Sequence, residues 1–283
     1  MKECRCIALD LDGTLLAGDG TLSKESREAL TAAIEAGVHV VVASGRAYST
    51  LPGAILSIPG IEYAITSNGA AVYRVPTSEC ICVHKLRREA VEDVLSLVGE
   101  AVEDPLYEAF VDGTAYAPAE YVADPEAFGA DERAALYVKA TRKPCRDMLD
   151  FLNSHLEELD SLDLIVNDQQ EKRRIWALLE KNVPHVYITA SVPRFLEISD
   201  EASGKASALA FVLERLGLSP EQAAAFGNAD NDADMLAYAG LGIAVENATE
   251  ACRAAADRIG ASNDEDGAAR EIRRILAETA RGL

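Results

Sequence analysis

Two carboxylates two residues apart, Asp10 and Asp12, stand directly after the apolar run Ile7-Ala8-Leu9. Such a run is typical of a strand buried in a parallel sheet. In an open α/β sheet, ligands bind in the crevice at the carboxyl ends of the strands. Mg²⁺ prefers one or two carboxylates together with phosphate oxygens of a substrate. The two aspartates therefore predict a magnesium site at the end of a strand.

The residues that follow allow two interpretations of this pair. An Asp-Gly sequence after a strand is often only a turn. The full string from Asp10 to Thr14, DLDGT, resembles the first motif of the haloacid dehalogenase-like phosphohydrolases. The resemblance implies that Asp10 is a nucleophile and Asp12 a general acid and base. It also implies that both bind Mg²⁺, Asp12 through its backbone carbonyl.

A second polar strand end is Ser44-Gly45-Arg46, after the apolar run Val38–Ala43. A small hydroxyl and a glycine at a strand-to-helix turn suit phosphate, because the hydroxyl and nearby backbone N–H groups can donate to it. The position matches the family's second motif and implies that Ser44 contacts the phosphoryl group. Arg46 has two equal interpretations, a further anion contact or a partner for a nearby acid.

Asn68 and Lys205 are two further candidates. Asn68 follows the predicted strand Ile61–Thr66 in an Asn-Gly-Ala sequence, which is either a turn or, as in the Cof-type branch of the family, a place near the substrate. Lys205 follows a glycine at a predicted helix start, where an ammonium suits an anion bound beside it. The resemblance assigns Lys205 to the phosphoryl group and to Asp10.

A fourth strand, Ala223–Phe226, leads into the sequence GNADNDADML. The family's motif here is GDxxND, so Asn228 replaces an aspartate that binds Mg²⁺. An amide oxygen can coordinate the ion, but with one negative charge fewer the affinity should fall. The resemblance assigns Asn231 to the substrate and Asp232 to the metal's surroundings or to Lys205. Asp230 is an extra acid that could compensate in part.

The expected fold class is α/β, a doubly wound Rossmann-like parallel-sheet core with an inserted α/β cap domain. The core is expected to comprise residues 1–84 and 191–283, and the cap residues 85–190. Within the cap, Ala134–Ala140 is predicted to be a strand. The segment Val192–Ile198 is predicted to return to the core. Caps of this kind close over the site and contact the leaving group in the Cof-type branch.

Composition limits the partners. The net charge of −20 argues against nucleic acid or an anionic membrane, because both need a basic face. No apolar run is long enough for a membrane span and the start shows no signal-peptide pattern, so a cytoplasmic location is expected. The pairs Cys4/Cys6 and Cys80/Cys82 could hold zinc, but their spacing favours free thiols.

Together these features predict a Mg²⁺-dependent phosphatase that forms an aspartyl-phosphate and acts on small phosphorylated metabolites, sugar phosphates first among them. A sugar phosphomutase of the same superfamily is one alternative. The other is a phosphate-binding or interaction protein weakened by Asn228. The sequence leaves the individual substrate and the oligomeric state open.

Overall fold

The computed structural model describes residues 3–280, in which strands and helices alternate along most of the chain. The strands are β1 Cys6–Leu9, β2 His39–Ala43, β3 Ile61–Thr66, β4 Ala71–Arg74, β5 Glu79–Val83, β6 Leu106–Val111, β7 Thr114–Pro118, β8 Lys143–Cys145, β9 Leu159–Ile165, β10 Val186–Thr189, β11 Phe195–Asp200, β12 Ala223–Gly227, β13 Leu241–Ala244 and β14 Arg258–Ile259. The helices are α1 Lys24–Glu35, α2 Gly53–Leu56, α3 Arg88–Ala101, α4 Ala119–Ala123, α5 Glu132–Thr141, α6 Met148–Ser154, α7 Gln169–Asn182, α8 Lys205–Leu216, α9 Ala233–Tyr238, α10 Glu250–Ala255 and α11 Gly267–Ala280.

The chain divides into two compact units. The first contains the described residues up to Arg46, then Leu51–Cys82, then the chain from Gly204 onwards. The second contains Ala47–Thr50 and Val83–Ser203. The chain therefore leaves the first unit near Val83 and re-enters it at Gly204, one residue before α8.

The first unit is built on a sheet with the strand order β14-β13-β12-β1-β2-β3-β4-β5 in the described residues. Neighbouring strands from β14 to β3 run parallel, and β4 is antiparallel to β3. Successive strands after β1 lie on one side of it, and the strands from β12 onwards lie on the other. The direction of winding therefore reverses beside β1, which is where open α/β sheets bind their ligands.

The interior strands of this sheet are apolar along their whole length because both faces are covered. All four residues of β1 and all five of β12 are buried. β12 begins with three alanines, and small side chains let the helices approach the sheet closely. Leu209, Val212 and Leu213 of α8 pack into this core beside the strands.

The second unit has a sheet with the order β10-β11-β9-β6-β7-β8. Its neighbouring strands are antiparallel except for β7 and β8. Helices α3 and α7 contribute an apolar stripe to a core shared with β6, β9 and β11. The buried residues of α3 recur every three or four positions, as one face of a helix requires.

Three acids lie side by side on neighbouring strands of this second sheet. Glu108, Asp163 and Glu197 are each at most 3% exposed, and Asp163 is in register with both of the others. Arg142 donates to Glu108 over 2.6 and 2.9 Å. Burial raises the pKa of Asp163 well above its usual range, and the charges of Glu197 and Glu108 raise it further, against a hydrogen bond from Ser161.

Replacing Asp163 with asparagine is expected to stabilise the protein at mildly alkaline pH. Because folding raises the pKa of this carboxyl, its contribution to stability is fully present below the unfolded pKa of about 4 and is lost as pH rises through the folded pKa. The amide does not ionise. We expect the gain in melting temperature to grow from about pH 5 to about pH 8, where it should reach at least about 2 °C, the effect of roughly 1 kcal/mol.

Calorimetry of Asp163→Asn and of Asp93→Asn, an exposed acid on α3, measures this gain. The control should shift the melting temperature little at either pH. An Asp163→Asn gain that does not increase with pH would show that folding does not raise the pKa of Asp163.

Two predictions about the second unit are wrong. Ala134–Ala140 lies in helix α5, because Asp131 caps the helix by accepting from the N–H of Ala134, and its alanines favour a helix. Strand β11 pairs with β9 and β10 of the second sheet, so Val192–Ile198 does not return to the core. The re-entry point is Gly204, not residue 191.

Among residues 3–280, no helix combines the length and the apolar character that crossing a bilayer requires.

Candidate active site

The polar strand ends of the first unit lie at one edge of its sheet. The N–H of Asp10 donates to Phe226 of β12 over 3.0 Å, so Asp10 extends the ladder beyond β1. The N–H of Ser44 donates to Ile65 of β3 over 2.9 Å, in the same way. Asn228 follows β12 directly. The carboxyl ends of parallel neighbouring strands thus bring these residues to the crevice where the winding reverses.

Lys205 joins two carboxylates in the interior of the first unit. Its side chain is fully buried, and Nζ donates to Asp10 Oδ1 over 2.8 Å and to Asp232 Oδ1 over 2.6 Å. Gly204 precedes it at φ +111°. A Cβ on Gly69 would lie 2.1 Å from the carbonyl oxygen of Gly204, so only glycine lets the two turns pack and fix the start of α8.

The surroundings of this cluster shift the pKa values of Asp10 and Lys205. Burial and the neighbouring Asp232 carboxylate raise the pKa of Asp10 to about 7, while Lys205 acts in the opposite direction. Burial lowers the pKa of the Lys205 ammonium, but the charges of Asp10 and Asp232 outweigh this and the net shift is upward. Lys205 is therefore a permanent cation in the interior.

Both oxygens of Asp232 have partners. Oδ1 accepts from Lys205, and Oδ2 accepts from the N–H groups of Asn228 and Ala229 over 2.8 and 3.0 Å. A Cβ on Gly227 would lie 2.3 Å from that of Asp232, so the turn needs its glycine. The sequence assigns Asp232 to the metal's surroundings or to Lys205, and in the structure its two oxygens bond to Lys205 and to the turn after β12.

The side chain of Asn228 lies among three oxygen atoms. One terminal atom of its amide is 2.8 Å from Thr14 Oγ1, 3.1 Å from Asp10 Oδ2 and 3.0 Å from the backbone carbonyl of Asp12. Gly13 makes room for this approach, because a Cβ there would lie 2.6 Å from the amide. Asp230 lies apart, exposed, and accepts from Thr249 over 2.7 Å, so it does not compensate for the missing charge at Asn228.

These oxygens fit Mg²⁺. Adjacent ligands of an octahedral Mg²⁺ at about 2.1 Å are roughly 3.0 Å apart, because the edge of an octahedron is √2 times the ligand distance. The position of the Asn228 amide matches that spacing to Asp10 and to the Asp12 carbonyl. Within residues 3–280 no three His, Cys, Asp or Glu side chains are placed to hold a metal ion. A magnesium site here therefore depends on the Asn228 amide and the Asp12 carbonyl in addition to Asp10. By the same finding, the described cysteines, all of them free thiols, form no zinc site.

The carboxylate of Asp12 pairs with Arg46. The Nε and Nη2 atoms of Arg46 each lie 2.7 Å from one oxygen of Asp12, which is a bidentate ion pair. The Asp12 side chain is 41% exposed and that of Arg46 only 14%. Of the two interpretations of Arg46, the structure shows the partner for a nearby acid.

The other predicted residues form the turns around this crevice. Ser44 is buried and its hydroxyl accepts from the N–H of Arg46 over 3.2 Å, with the half-buried Gly45 between them. Asn68, at φ +53°, accepts at Oδ1 from the side-chain N–H of Asn231 over 2.8 Å. Both asparagines are buried, and they link the turn after β3 to the turn after β12.

The sequence did not single out Thr14 or assign Asn247. Thr14 contacts Asn228, and Asn247 donates to the carbonyl of Gly13 over 2.8 Å while accepting from the N–H of Asn263 over 3.0 Å. Thr14 belongs to the DLDGT string, which was the available signal. The family resemblance places Asn247 near the site, but its bonds to Gly13 and Asn263 are set by the fold.

A doubly wound core with an inserted α/β unit and an Asp-Lys-Asp cluster beside the central strand defines a hydrolase of the haloacid dehalogenase type. The chain belongs to the haloacid dehalogenase-like hydrolase family, whose sequence profile matches residues 7–272. The predicted family, fold class and enzyme class, a phosphatase of this type, are confirmed.

Three similar proteins come from Bacillus subtilis. Phosphatase YwpJ is 26% identical, and the match covers 96% of this chain and 100% of YwpJ. The 5-amino-6-(5-phospho-D-ribitylamino)uracil phosphatase YcsE is 27% identical, and the match covers 96% of this chain and 95% of YcsE. A solved haloacid dehalogenase-like hydrolase is 26% identical with a TM-score of 0.80, over 95% of this chain and 99% of the other.

Proposed function

We propose that this phosphatase is a Mg²⁺-dependent phosphomonoester hydrolase that works through an aspartyl-phosphate. The observation that carries the proposal is the buried Asp10 carboxylate, which Lys205 holds at 2.8 Å at the end of the central strand. A carboxylate fixed in this way is a nucleophile, and a buried ammonium beside it neutralises charge on a phosphoryl group.

In the first half of the reaction, an oxygen of Asp10 attacks phosphorus and the bond from phosphorus to the leaving oxygen breaks. Asp12 donates a proton to that oxygen, so the product leaves as an alcohol. Lys205 and the hydroxyl of Ser44 stabilise the charge on the transferring oxygens. The phosphoryl group is then bound to Asp10.

In the second half, water attacks phosphorus and Asp12 takes its proton, which releases inorganic phosphate and restores Asp10. One residue serves both steps because the second proton transfer reverses the first. Since Arg46 holds the ionised Asp12 carboxylate in the structure, Asp12 must leave this partner and take up a proton from solvent before it can protonate the leaving-group oxygen. Arg46 is then released to contact the phosphate.

Mg²⁺ would be held by a carboxylate oxygen of Asp10, the backbone carbonyl of Asp12 and the side-chain oxygen of Asn228, and would supply positive charge beside the phosphoryl oxygens. Asp232 acts on this site through Lys205. The backbone of Gly45 and the linked side chains of Asn68 and Asn231 are assigned to the substrate side of the crevice.

The substrates we propose are small phosphate esters of sugars and sugar alcohols. YcsE is named for a substrate with a phosphorylated ribityl chain, which is a phosphate ester of this class. We assign selection of the leaving group to the second unit, as a lid of this enzyme, and place the enzyme in the cytoplasm. The net charge of −20 is consistent with a small-molecule substrate and with no nucleic-acid partner.

Phosphate release from a panel of sugar phosphates, sugar-alcohol phosphates and nucleotides, with Mg²⁺ or with a chelator, tests this function. We expect turnover of at least one sugar or sugar-alcohol phosphate with Mg²⁺ and a loss of at least about tenfold with the chelator. Chromatography of the organic product separates hydrolysis from transfer to another hydroxyl. A phosphorylated sugar isomer with no free phosphate would identify a mutase instead.

A further inference from the structure

The amide of Asn228 has two orientations with different consequences. With its nitrogen towards the crevice, the amide donates to Thr14 Oγ1, Asp10 Oδ2 and the Asp12 carbonyl, at 2.8, 3.1 and 3.0 Å. The two hydrogens of one N–H₂ group then lie among all three acceptors, so no two oxygens face each other there without a donor between them. With its oxygen in that position, the amide accepts from Thr14 only, and the oxygen faces two other oxygens at those distances.

The oxygen-inward orientation has unfavourable contacts unless a cation lies among the three oxygens. Buried polar atoms that face like atoms lose their interactions with water without replacement. The nitrogen-inward orientation avoids this loss. Thr14 allows both orientations, because a hydroxyl can either donate or accept.

A carboxylate at position 228 presents an oxygen to the crevice in either orientation. It therefore has the unfavourable oxygen–oxygen contacts and no orientation that avoids them. It would place a charged oxygen about 3.1 Å from Asp10 Oδ2. The only cation bonded to Asp10 in residues 3–280 is Lys205, which also donates a hydrogen bond to Asp232. Without a metal ion, such a pair of acids would repel each other in a buried site.

We propose that the Asn228 amide replaces the cation when the site is empty: its nitrogen holds Asp10 and the Asp12 carbonyl together, and the amide turns its oxygen inward when Mg²⁺ binds. The inference rests on the proposed function, because it takes Mg²⁺ as the ion of this crevice. The exchange makes the ion-free protein stable and weakens Mg²⁺ binding, since the ion must displace the hydrogen bonds of the amide nitrogen.

Thermal unfolding of wild type and of Asn228→Asp, at about pH 8 and without substrate, tests the inference. In chelator, we expect the variant to melt at least about 5 °C below wild type, because two carboxylates then face each other. Mg²⁺ should raise its melting temperature more than that of wild type. Because a ligand stabilises the folded state by RT ln(1 + [L]/Kd), the two proteins are compared at an equal rise in melting temperature. The Mg²⁺ concentration that produces a given rise should be at least about tenfold lower in the variant, since ligand charge sets affinity at such sites.

Asn153→Asp, on the exposed side of α6, adds the same charge with the same change of shape. It loses only the exposed hydrogen bond that Asn153 donates to the Leu149 carbonyl, so its melting temperature should stay within about 2 °C of wild type in both conditions. The double variant Asp10→Asn with Asn228→Asp again pairs one amide with one carboxylate, and should recover most of the stability in chelator. If Asn228→Asp alone does not fold, a folded double variant still shows that the two facing carboxylates cause the loss of stability.

Equal melting temperatures of Asn228→Asp and wild type in chelator, or a double variant no more stable than the single one, would overturn the inference. The measurement needs no turnover. A protein that hydrolyses no ester but melts as described would therefore lose the proposed function and keep this exchange of amide and ion.

Discussion

Replacing Asp10 with asparagine is expected to reduce phosphate release at least about a thousandfold, because the amide oxygen is a poor nucleophile and the aspartyl-phosphate cannot form. The change is nearly isosteric. The amide oxygen can still accept from Lys205, whose Nζ lies 2.8 Å from Asp10. Steady-state release of phosphate from the best ester of the panel, with saturating Mg²⁺, measures the loss.

Asp230→Asn is the matched control for this variant. Asp230 lies two residues after Asn228, is exposed and bonds to Thr249, so its amide form should keep nearly all of the activity. Acid-quenched wild-type enzyme should carry the phosphate of a labelled ester, and Asp10→Asn should not. Turnover of Asp10→Asn equal to that of wild type would remove Asp10 from the mechanism.

Replacing Lys205 with methionine is expected to destabilise the protein by about 3–5 kcal/mol and to abolish measurable turnover. Removing one member of a buried charge cluster leaves the others unpaired, and the Lys205 side chain is fully buried between Asp10 and Asp232. At a few degrees per kcal/mol, the melting temperature should fall by about 10 °C. Denaturant unfolding measures the free energy directly.

Lys139→Met provides the comparison for Lys205→Met. Lys139 is exposed on α5 and lies 3.8 Å from its acidic partner Glu126, so its loss should cost less than about 1 kcal/mol. A Lys205→Met protein as stable as the Lys139→Met protein would mean that the buried cluster is not held together by its charges.

The strand ends of the first unit could be predicted because their signals are local. An apolar run that ends in acids or in Ser-Gly shows both the strand and the crevice, so Asp10 and Ser44 were found from the sequence. Lys205 needed the resemblance, since a lone lysine after a glycine is usually exposed. Its partner Asp232 was assigned to two roles, and only the structure shows both of its oxygens occupied.

The second unit could not be predicted as well because its decisive contacts are between distant strands. The segment Val192–Ile198 does enter a strand, which begins at Phe195, but its pattern does not say which sheet the strand joins. The register of Glu108, Asp163 and Glu197 likewise depends on pairing across three strands. In α5 the helix propensity of alanine and the cap at Asp131 prevailed over the short, mostly apolar run that had been predicted to be a strand.

The position of Asn228 as the family's missing aspartate was visible in the sequence, but the contacts of its amide were not. The three oxygens around it come from a side chain and a carbonyl of the first strand end and from the hydroxyl of Thr14. These atoms meet Asn228 only because β1 and β12 are neighbours in the sheet. The placement of the Asn228 amide among three acceptors therefore depends on the fold and not on the local sequence.

The central strand has a further consequence for synthesis of the chain. Cys6 and Leu9 pair on one side with β2, but on the other side with a strand that begins at Ala223. At the usual rate of about 5–20 residues per second, roughly 10–40 s pass before the ribosome supplies that second neighbour. During this time one edge of the apolar strand β1 has no partner strand, and such an edge is open to mispairing and aggregation.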